Sequence, residues 1–432
     1  MQYISTNGNC PIVNTAEAVT HCMAVDGGLY VPQTLPFMPK ALFNNIGEMN
    51  LREIAFIVAS SFLSDELDSA QIKHIVDESF AVDIPMVQIG EKEFIMELFH
   101  GPSLTFKDYG AHFMARLLRE FDNRKGIRNR NVLVSTTGNS GAATANGLFE
   151  IEGLNVAVLF PKNVLSHMQM AQFTSLGSNI YPIEVDGTIE DCKNLVRDAI
   201  ADPTLKDLSL TGANSINVGR LIPQITFAFR AYAGLKAAGV EGAENAIYSI
   251  PSGNLSNLVA AMIGAQMGLP IGKVLAAENV NDTLGRISRG ERVADKPVHT
   301  LARSLDTVHP SGLPRLTHIC GDSLQHPKLT IAPAIDDDTI VSTIKCLSLK
   351  HNYLIDPHGA VAYAAAQLVD TDAPKVIFAT GHPIKSIDAM TRITGTSIEL
   401  PKQYMRFMNG KRRVQHIAAT LPALRRYLRS IN

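Results

Sequence analysis

The sequence predicts an α/β protein: an open, mostly parallel sheet wrapped by helices, preceded by a smaller N-terminal cap. Two observations carry that expectation. From about residue 95 onward, short and continuously apolar runs alternate with helical segments. Strands buried on both faces read this way, and parallel neighbours need a crossover, usually a helix. Before that point the rhythm differs: turns and prolines separate two amphipathic stretches, which marks the cap.

The cap opens on a turn, Asp26-Gly27-Gly28, leading into a short strand at Tyr30 that Pro32 ends. Pro32, Pro36 and Pro39 then forbid regular structure for several residues. Helical apolar spacing follows over 51–63 and 69–79. Buried strands are expected over 131–136, 155–160, 179–185, 246–250, 273–277 and 375–379. Thr188 and Asp191 form a capping box opening a helix through Ala199. Asp336-Asp337-Asp338 reads as a solvated turn, and residues 400–432 as a basic helical tail with a solvated face (Arg412, Arg413, Arg425, Arg426, Arg429).

The 432 residues allow two or three domains, and 46% hydrophobic with 19% charged content describes an ordinary globule with a large core. The net charge of -2, without a long basic run, argues against nucleic acid or an anionic membrane as partner. No apolar run reaches transmembrane length, and the first residues lack the charged and apolar regions of a secretory signal. Five scattered cysteines form neither a metal spacing nor a disulfide framework, so a reducing cytoplasm is expected.

Ligands of open α/β sheets sit beyond the carboxyl ends of the strands, so the turns there carry the functional information. Lys107 follows the Gly101-Pro102 turn and Phe106, where an amphipathic helix begins (Phe113, Leu117, Leu118). A lysine desolvated there would be a neutral nucleophile, as a Schiff base with an aldehyde cofactor requires. The alternative is a lysine snorkelling from a surface helix. Ser135-Thr136-Thr137-Gly138-Asn139-Ser140-Gly141 offers hydroxyls and N–H groups at a helix start, either an anion cradle or a plain cap. Asn214, Ser215 and Arg220 suit a dianionic phosphate, or belong to a capped helix with a surface arginine. Pro251-Ser252-Gly253-Asn254-Leu255-Ser256-Asn257 is a short loop at a helix N-terminus, the expected phosphate site.

His100-Gly101-Pro102-Ser103-Leu104-Thr105-Phe106-Lys107-Asp108 resembles the cofactor-lysine motif of threonine synthases, pyridoxal-phosphate enzymes of the tryptophan-synthase-β fold type II. The other turns match the family's motifs in the same order along nearly the whole chain. The resemblance implies two open, mostly parallel sheets behind an N-terminal α/β domain at 1–92. A catalytic region of two α/β subdomains would span 93–432, with the cofactor in the cleft between them. It implies that Lys107 is the cofactor lysine and catalytic base, and that Thr137, Gly138, Asn139 and Ser140 grip the substrate α-carboxylate, with Asn139 beside the cofactor's 3-oxygen. Ser252, Gly253, Asn254, Leu255 and Ser256 would hold the cofactor phosphate. Thr380 would meet the pyridine nitrogen, and Asn214, Ser215 and Arg220 would hold the substrate phosphate. Asn279 to Thr283 and Asp306 would line or brace the cleft. His358, in a matching Pro-His-x-Ala-Val-Ala-Tyr stretch, is read as a packed histidine in preference to a catalytic one.

The implied reaction is O-phospho-L-homoserine plus water giving L-threonine plus phosphate, by a monomer or homodimer acting on a small molecule. The chain departs from the family at Asn139, where relatives of this length often carry aspartate. It departs again at Ser256 and Asn257, which replace glycine and aspartate. If Ser256 needs a positive φ, strain results. These departures keep open a phospholyase acting on O-phosphohomoserine or phosphoserine and releasing a 2-oxo acid. A non-catalytic, pyridoxal-phosphate-binding regulatory protein is the alternative of another class.

Overall fold

Apolar runs without alternation become strands buried along nearly their whole length. In the computed structural model, which describes residues 1–431, Arg130–Ser135 is buried at every position. That strand lies inside a five-stranded, all-parallel sheet. Its order is Gln415–Ala418, Ile180–Asp186, Leu154–Pro161, Arg130–Ser135, Leu210–Gly212. A six-stranded sheet runs Leu329–Ile331, Lys273–Ala277, Ile247–Pro251, Lys375–Ala379, Glu93–Glu97, Met86–Gln88. All its pairs are parallel except the last, an antiparallel hairpin. A small antiparallel sheet (Val13–Asn14, Gln2–Ser5, Tyr30–Pro32) belongs to the N-terminal region.

Several helices start where side chains can satisfy their free N–H groups, whereas those opened by Lys107, Asn139 and Ser256 have no side-chain cap. Reciprocal capping boxes open Leu51–Leu63 (Asn50 with Glu53), Ser69–Ser79 (Asp68 with Gln71) and Ile189–Ala201 (Thr188 with Asp191). The helix Val218–Ala237 is buried at most of its positions and packs on Leu51–Leu63, Lys107–Lys125 and Ser256–Gln266. Two glycines set these distances. A Cβ at Gly110 would lie 2.9 Å from the Arg220 carbonyl oxygen, and one at Gly147 would lie 2.6 Å from the Ala111 methyl. The helix opened by Lys107 is therefore seated closely on both neighbours, and its first residue is fixed with it.

Two expectations are corrected. Residues 400–432 are not simply a solvated helical tail. Gln415–Ala418 extends the five-stranded sheet beside Ile180–Asp186. Arg425 donates to Asp202 at 2.6 Å and Arg429 to Asp207 at 3.1 Å. An edge strand of mostly exposed residues lacks the apolar run that announces an interior one. The Asp336-Asp337-Asp338 stretch is not a free turn either: Asp336 caps the helix Asp337–His351 through the Thr339 N–H at 2.8 Å. No helix among the described residues is long and apolar enough to cross a membrane.

Candidate active site

The segment 101–107 is stitched in place before its lysine is reached. The Ser103 N–H donates to Asp108 Oδ2 at 2.9 Å, and the Ser103 and Thr105 hydroxyls meet at 2.9 Å. The Phe106 N–H donates to the Thr380 carbonyl and the His382 N–H to the Leu104 carbonyl, each at 3.0 Å. Leu104, at φ +59°, makes the left-handed reversal. These bonds tie the lysine turn to the loop after Lys375–Ala379, so Lys107 and Thr380 are held close to each other.

Lys107 Nζ lies 4.3 Å from the Phe106 ring centroid. Burial, with the Arg220 cation nearby, lowers its pKa from 10.5 to about 8, against the opposing pull of Asp108 and Asp356. The side chain is thus no snorkelling surface lysine. Asp108 is buried, and that burial raises its carboxyl to about 6; its Oδ1 has no hydrogen-bond partner. Lys385, further along the same loop as Thr380, is a second desolvated amine. It donates to Gln172 Oε1, and burial lowers its pKa to about 7. Asp108 closes the lysine motif in the sequence, whereas Lys385 carries no such signal.

Arg220 is 3% exposed, which removes the surface-arginine alternative. Its Nη1 donates to Thr144 Oγ1 at 2.9 Å and to the Ala213 carbonyl at 2.8 Å; Nη2 donates to the Lys107 carbonyl at 3.3 Å. Its Nε is buried and unpartnered. Burial lowers its pKa only to about 10, so it stays a cation at neutral pH. Asn214 spends its amide on the neighbouring strand end, donating to the Ser135 carbonyl at 3.0 Å and accepting the Ser135 N–H at 3.3 Å. The Ser215 hydroxyl accepts from Asn254 Nδ2 at 3.2 Å. The three strand-end turns singled out by sequence are therefore joined to each other and, through Arg220, to Lys107. Of the three proposed phosphate residues, Arg220 is the charged one, and Asn214 and Ser215 clamp the turns together.

Thr136 builds the turn at 137–140: its Oγ1 accepts the N–H groups of Gly138 at 2.9 Å and Gly141 at 2.8 Å. Gly138 takes φ +127°, Thr137 is exposed, and Asn139 Oδ1 is buried without a partner. In the other loop the strained residue is Leu255, at φ +69°, and not Ser256, which is the first residue of the helix Ser256–Gln266. Asn254 Oδ1 accepts both the N–H and the hydroxyl of Ser256 at 3.1 Å, so the reversal falls one residue earlier.

A polar network braces this loop from the far side. Asn279 Nδ2 donates to Asp306 Oδ1 and to Thr300 Oγ1, each at 2.9 Å. Next to it, buried Glu278 accepts the N–H groups of Leu284 at 3.0 Å and Gly285 at 3.1 Å, and burial raises its carboxyl from 4.5 to about 7. The folded state then holds a proton that the unfolded state releases between those values, so stability falls as pH rises from 4.5 through 7. Glu278→Gln is expected to flatten that decline, as thermal denaturation across the window will measure.

Residues 84–381 match the family described as pyridoxal-phosphate dependent enzyme, and residues 2–80 the one described as threonine synthase N terminus. The threonine synthase of Escherichia coli (strain K12) is 32% identical over 394 residues, 90% of each chain. The chain belongs to the threonine synthase family. The fold agrees: the crystal structure of the Escherichia coli threonine synthase superposes with a TM-score of 0.91 at 30% identity, over 100% of both chains. The pyridoxal-phosphate-bound threonine synthase of Brucella melitensis gives 0.91 at 28% identity, over 100% of this chain and 99% of that one. Membership of the threonine synthase family makes this a fold type II, pyridoxal-phosphate-dependent enzyme.

The residues present fit that cofactor. Lys107 is a desolvated amine whose Nζ lies over the Phe106 ring. Asn139 has a buried, unused carbonyl oxygen, and Thr380 stands half-buried at the strand end. The loop 252–256 opens a helix whose dipole favours a phosphate at that end, although the Ser252 N–H is taken by the Ala277 carbonyl at 2.8 Å and the Ser256 N–H by Asn254 Oδ1 at 3.1 Å.

Proposed function

We propose that the protein converts O-phospho-L-homoserine and water into L-threonine and phosphate. The observation that carries this reading is Arg220: a buried guanidinium, charged at neutral pH, bonded to the main-chain carbonyl of Lys107 and near enough to its amine to help lower that amine's pKa. Such a cation suits a substrate with a dianionic group close to the carbon being deprotonated. The family relationship and the three joined turns support the same assignment.

The bound cofactor supplies the electron sink for carbanions next to the substrate nitrogen. Lys107, whose lowered pKa of about 8 makes the unprotonated amine accessible, is the proton carrier: it takes the Cα proton, releases it before it takes one from Cβ, and delivers a proton to Cγ after phosphate leaves, holding one transferred proton at a time. Arg220, with Asn214 and Ser215 shaping its pocket, binds the γ-phosphate and stabilises its departure. Thr137, Gly138, Asn139 and Ser140 hold the substrate carboxylate at the helix start. Asn139 would stand beside the cofactor's ring oxygen, Thr380 would meet its nitrogen, and residues 252–256 would hold its phosphate. Residues 1–92 act as the N-terminal domain and 93–432 as the two-subdomain catalytic region, in a cytoplasmic monomer or homodimer.

The test is a product balance with O-phospho-L-homoserine as substrate. Threonine equal to phosphate is the expected result. Phosphate matched by 2-oxobutyrate would establish a phospholyase and locate the difference at Asn139 and Ser256. No phosphate release would overturn the substrate assignment.

A further inference from the structure

We propose that His358 is a positioning residue for the cofactor-phosphate loop: oriented by Asp356, it holds the turn Arg303–Leu305 against Gly253. The inference rests on reading residues 252–256 as the cofactor-phosphate cradle. Asp356 is 1% exposed and caps the helix Pro357–Gln367, its Oδ1 accepting the Gly359 N–H at 2.8 Å. Its Oδ2 lies 2.5 Å from His358 Nδ1, and the Ser304 N–H donates to His358 Nε2 at 3.1 Å. A backbone N–H needs a lone pair, so Nε2 is unprotonated and Nδ1 carries the proton shared with Asp356. Both ring nitrogens are engaged, which leaves His358 no hand in proton transfer.

The far end of this chain of bonds is the cradle. A Cβ on Gly253 would lie 2.4 Å from the Ser304 carbonyl oxygen and 3.2 Å from Leu305 Cα, so here backbone packs directly on backbone. On the next residue, the Gly312 N–H donates to the Asn254 carbonyl at 3.0 Å. The loop is held between two segments, and His358 fixes the one on Gly253. N–H donors bind phosphate only when they point at it together. Letting the Ser304 turn drift therefore loosens phosphate binding and leaves the lysine chemistry in place.

The test compares apoprotein binding of pyridoxal phosphate with that of pyridoxal, which lacks the phosphate, by absorbance titration. His358→Ala is expected to weaken pyridoxal phosphate about tenfold, the scale of one lost hydrogen bond. Pyridoxal affinity should stay within about twofold, and His358→Gln, which keeps an acceptor for the Ser304 N–H, should restore most of the loss. Ser304→Pro removes the N–H without touching the histidine, and should reproduce the pattern if His358→Ala does not fold. Unchanged pyridoxal phosphate affinity in the folded variants, or equal weakening of both ligands, would overturn the proposal. A wild type that binds both ligands equally would instead remove the cradle assignment, and the proposal with it.

Discussion

Lys107→Ala abolishes turnover of O-phospho-L-homoserine, lowering kcat by about 10⁴-fold or more, because one amine serves as both nucleophile and proton carrier. Steady-state assay with cofactor added in excess checks this; turnover near the wild-type rate would remove Lys107 from the site. The same residue leaves a mark on stability. Its folded-state pKa of about 8 lies below the ordinary 10.5. Between those values the unfolded chain holds a proton that the folded chain has released, so stability rises with pH from 8 to 10.5. Lys107→Met, which fills a similar volume without a charge, is expected to make the apoprotein more stable than wild type below pH 8. The gap should close by pH 10.5. Thermal denaturation of both apoproteins at pH 7 and pH 10 measures it, and a parallel pH response in the two would mean that Lys107 is solvated.

Arg220→Ala lowers kcat/KM for O-phospho-L-homoserine by about 10³-fold, the loss expected when a desolvated cation facing a phosphate is removed. Part of that loss is structural, because the guanidinium also supports the carbonyls of Ala213 and Lys107 and the Thr144 hydroxyl. Product inhibition separates the two contributions. If Arg220 binds the phosphate, the inhibition constant of inorganic phosphate rises in Arg220→Lys as well as in Arg220→Ala, since lysine lacks the forked geometry. An inhibition constant unchanged in both variants would assign Arg220 to bracing alone.

The legible parts of the site were those in which local chemistry repeats a known need. Lys107 stands after a glycine-proline turn and before an apolar helix face, and glycine-rich turns at 137–141 and 252–256 follow apolar strands. The capping box at Thr188 works within four residues, and a pattern that short is complete in the sequence. The parts that were not legible depend on partners far away in the chain. Asn214 and Ser215 look like free ligands until Ser135 and Asn254 are placed against them. Ser256 looked like the candidate for strain, but the side chain of Asn254 moved the reversal to Leu255.

Legible in the sequence alone were six interior strands of the two large sheets, the lysine after its glycine-proline turn, and the turns read as anion sites. Each of these depends on a few neighbouring residues and on the burial that an apolar run announces. Tertiary structure decided what those groups are. Burial, with the Arg220 cation beside it, lowers the Lys107 pKa to about 8 and leaves Arg220 a desolvated cation, and burial is a property of everything packed around a side chain. It also decided that Gly110 lets one helix approach the Arg220 backbone, and that Gln415–Ala418 pairs with residues 183–186 in a sheet whose first strand in the sequence is Arg130–Ser135. Contacts of that range have no local signature, because their energy comes from pairs of segments that the sequence writes far apart.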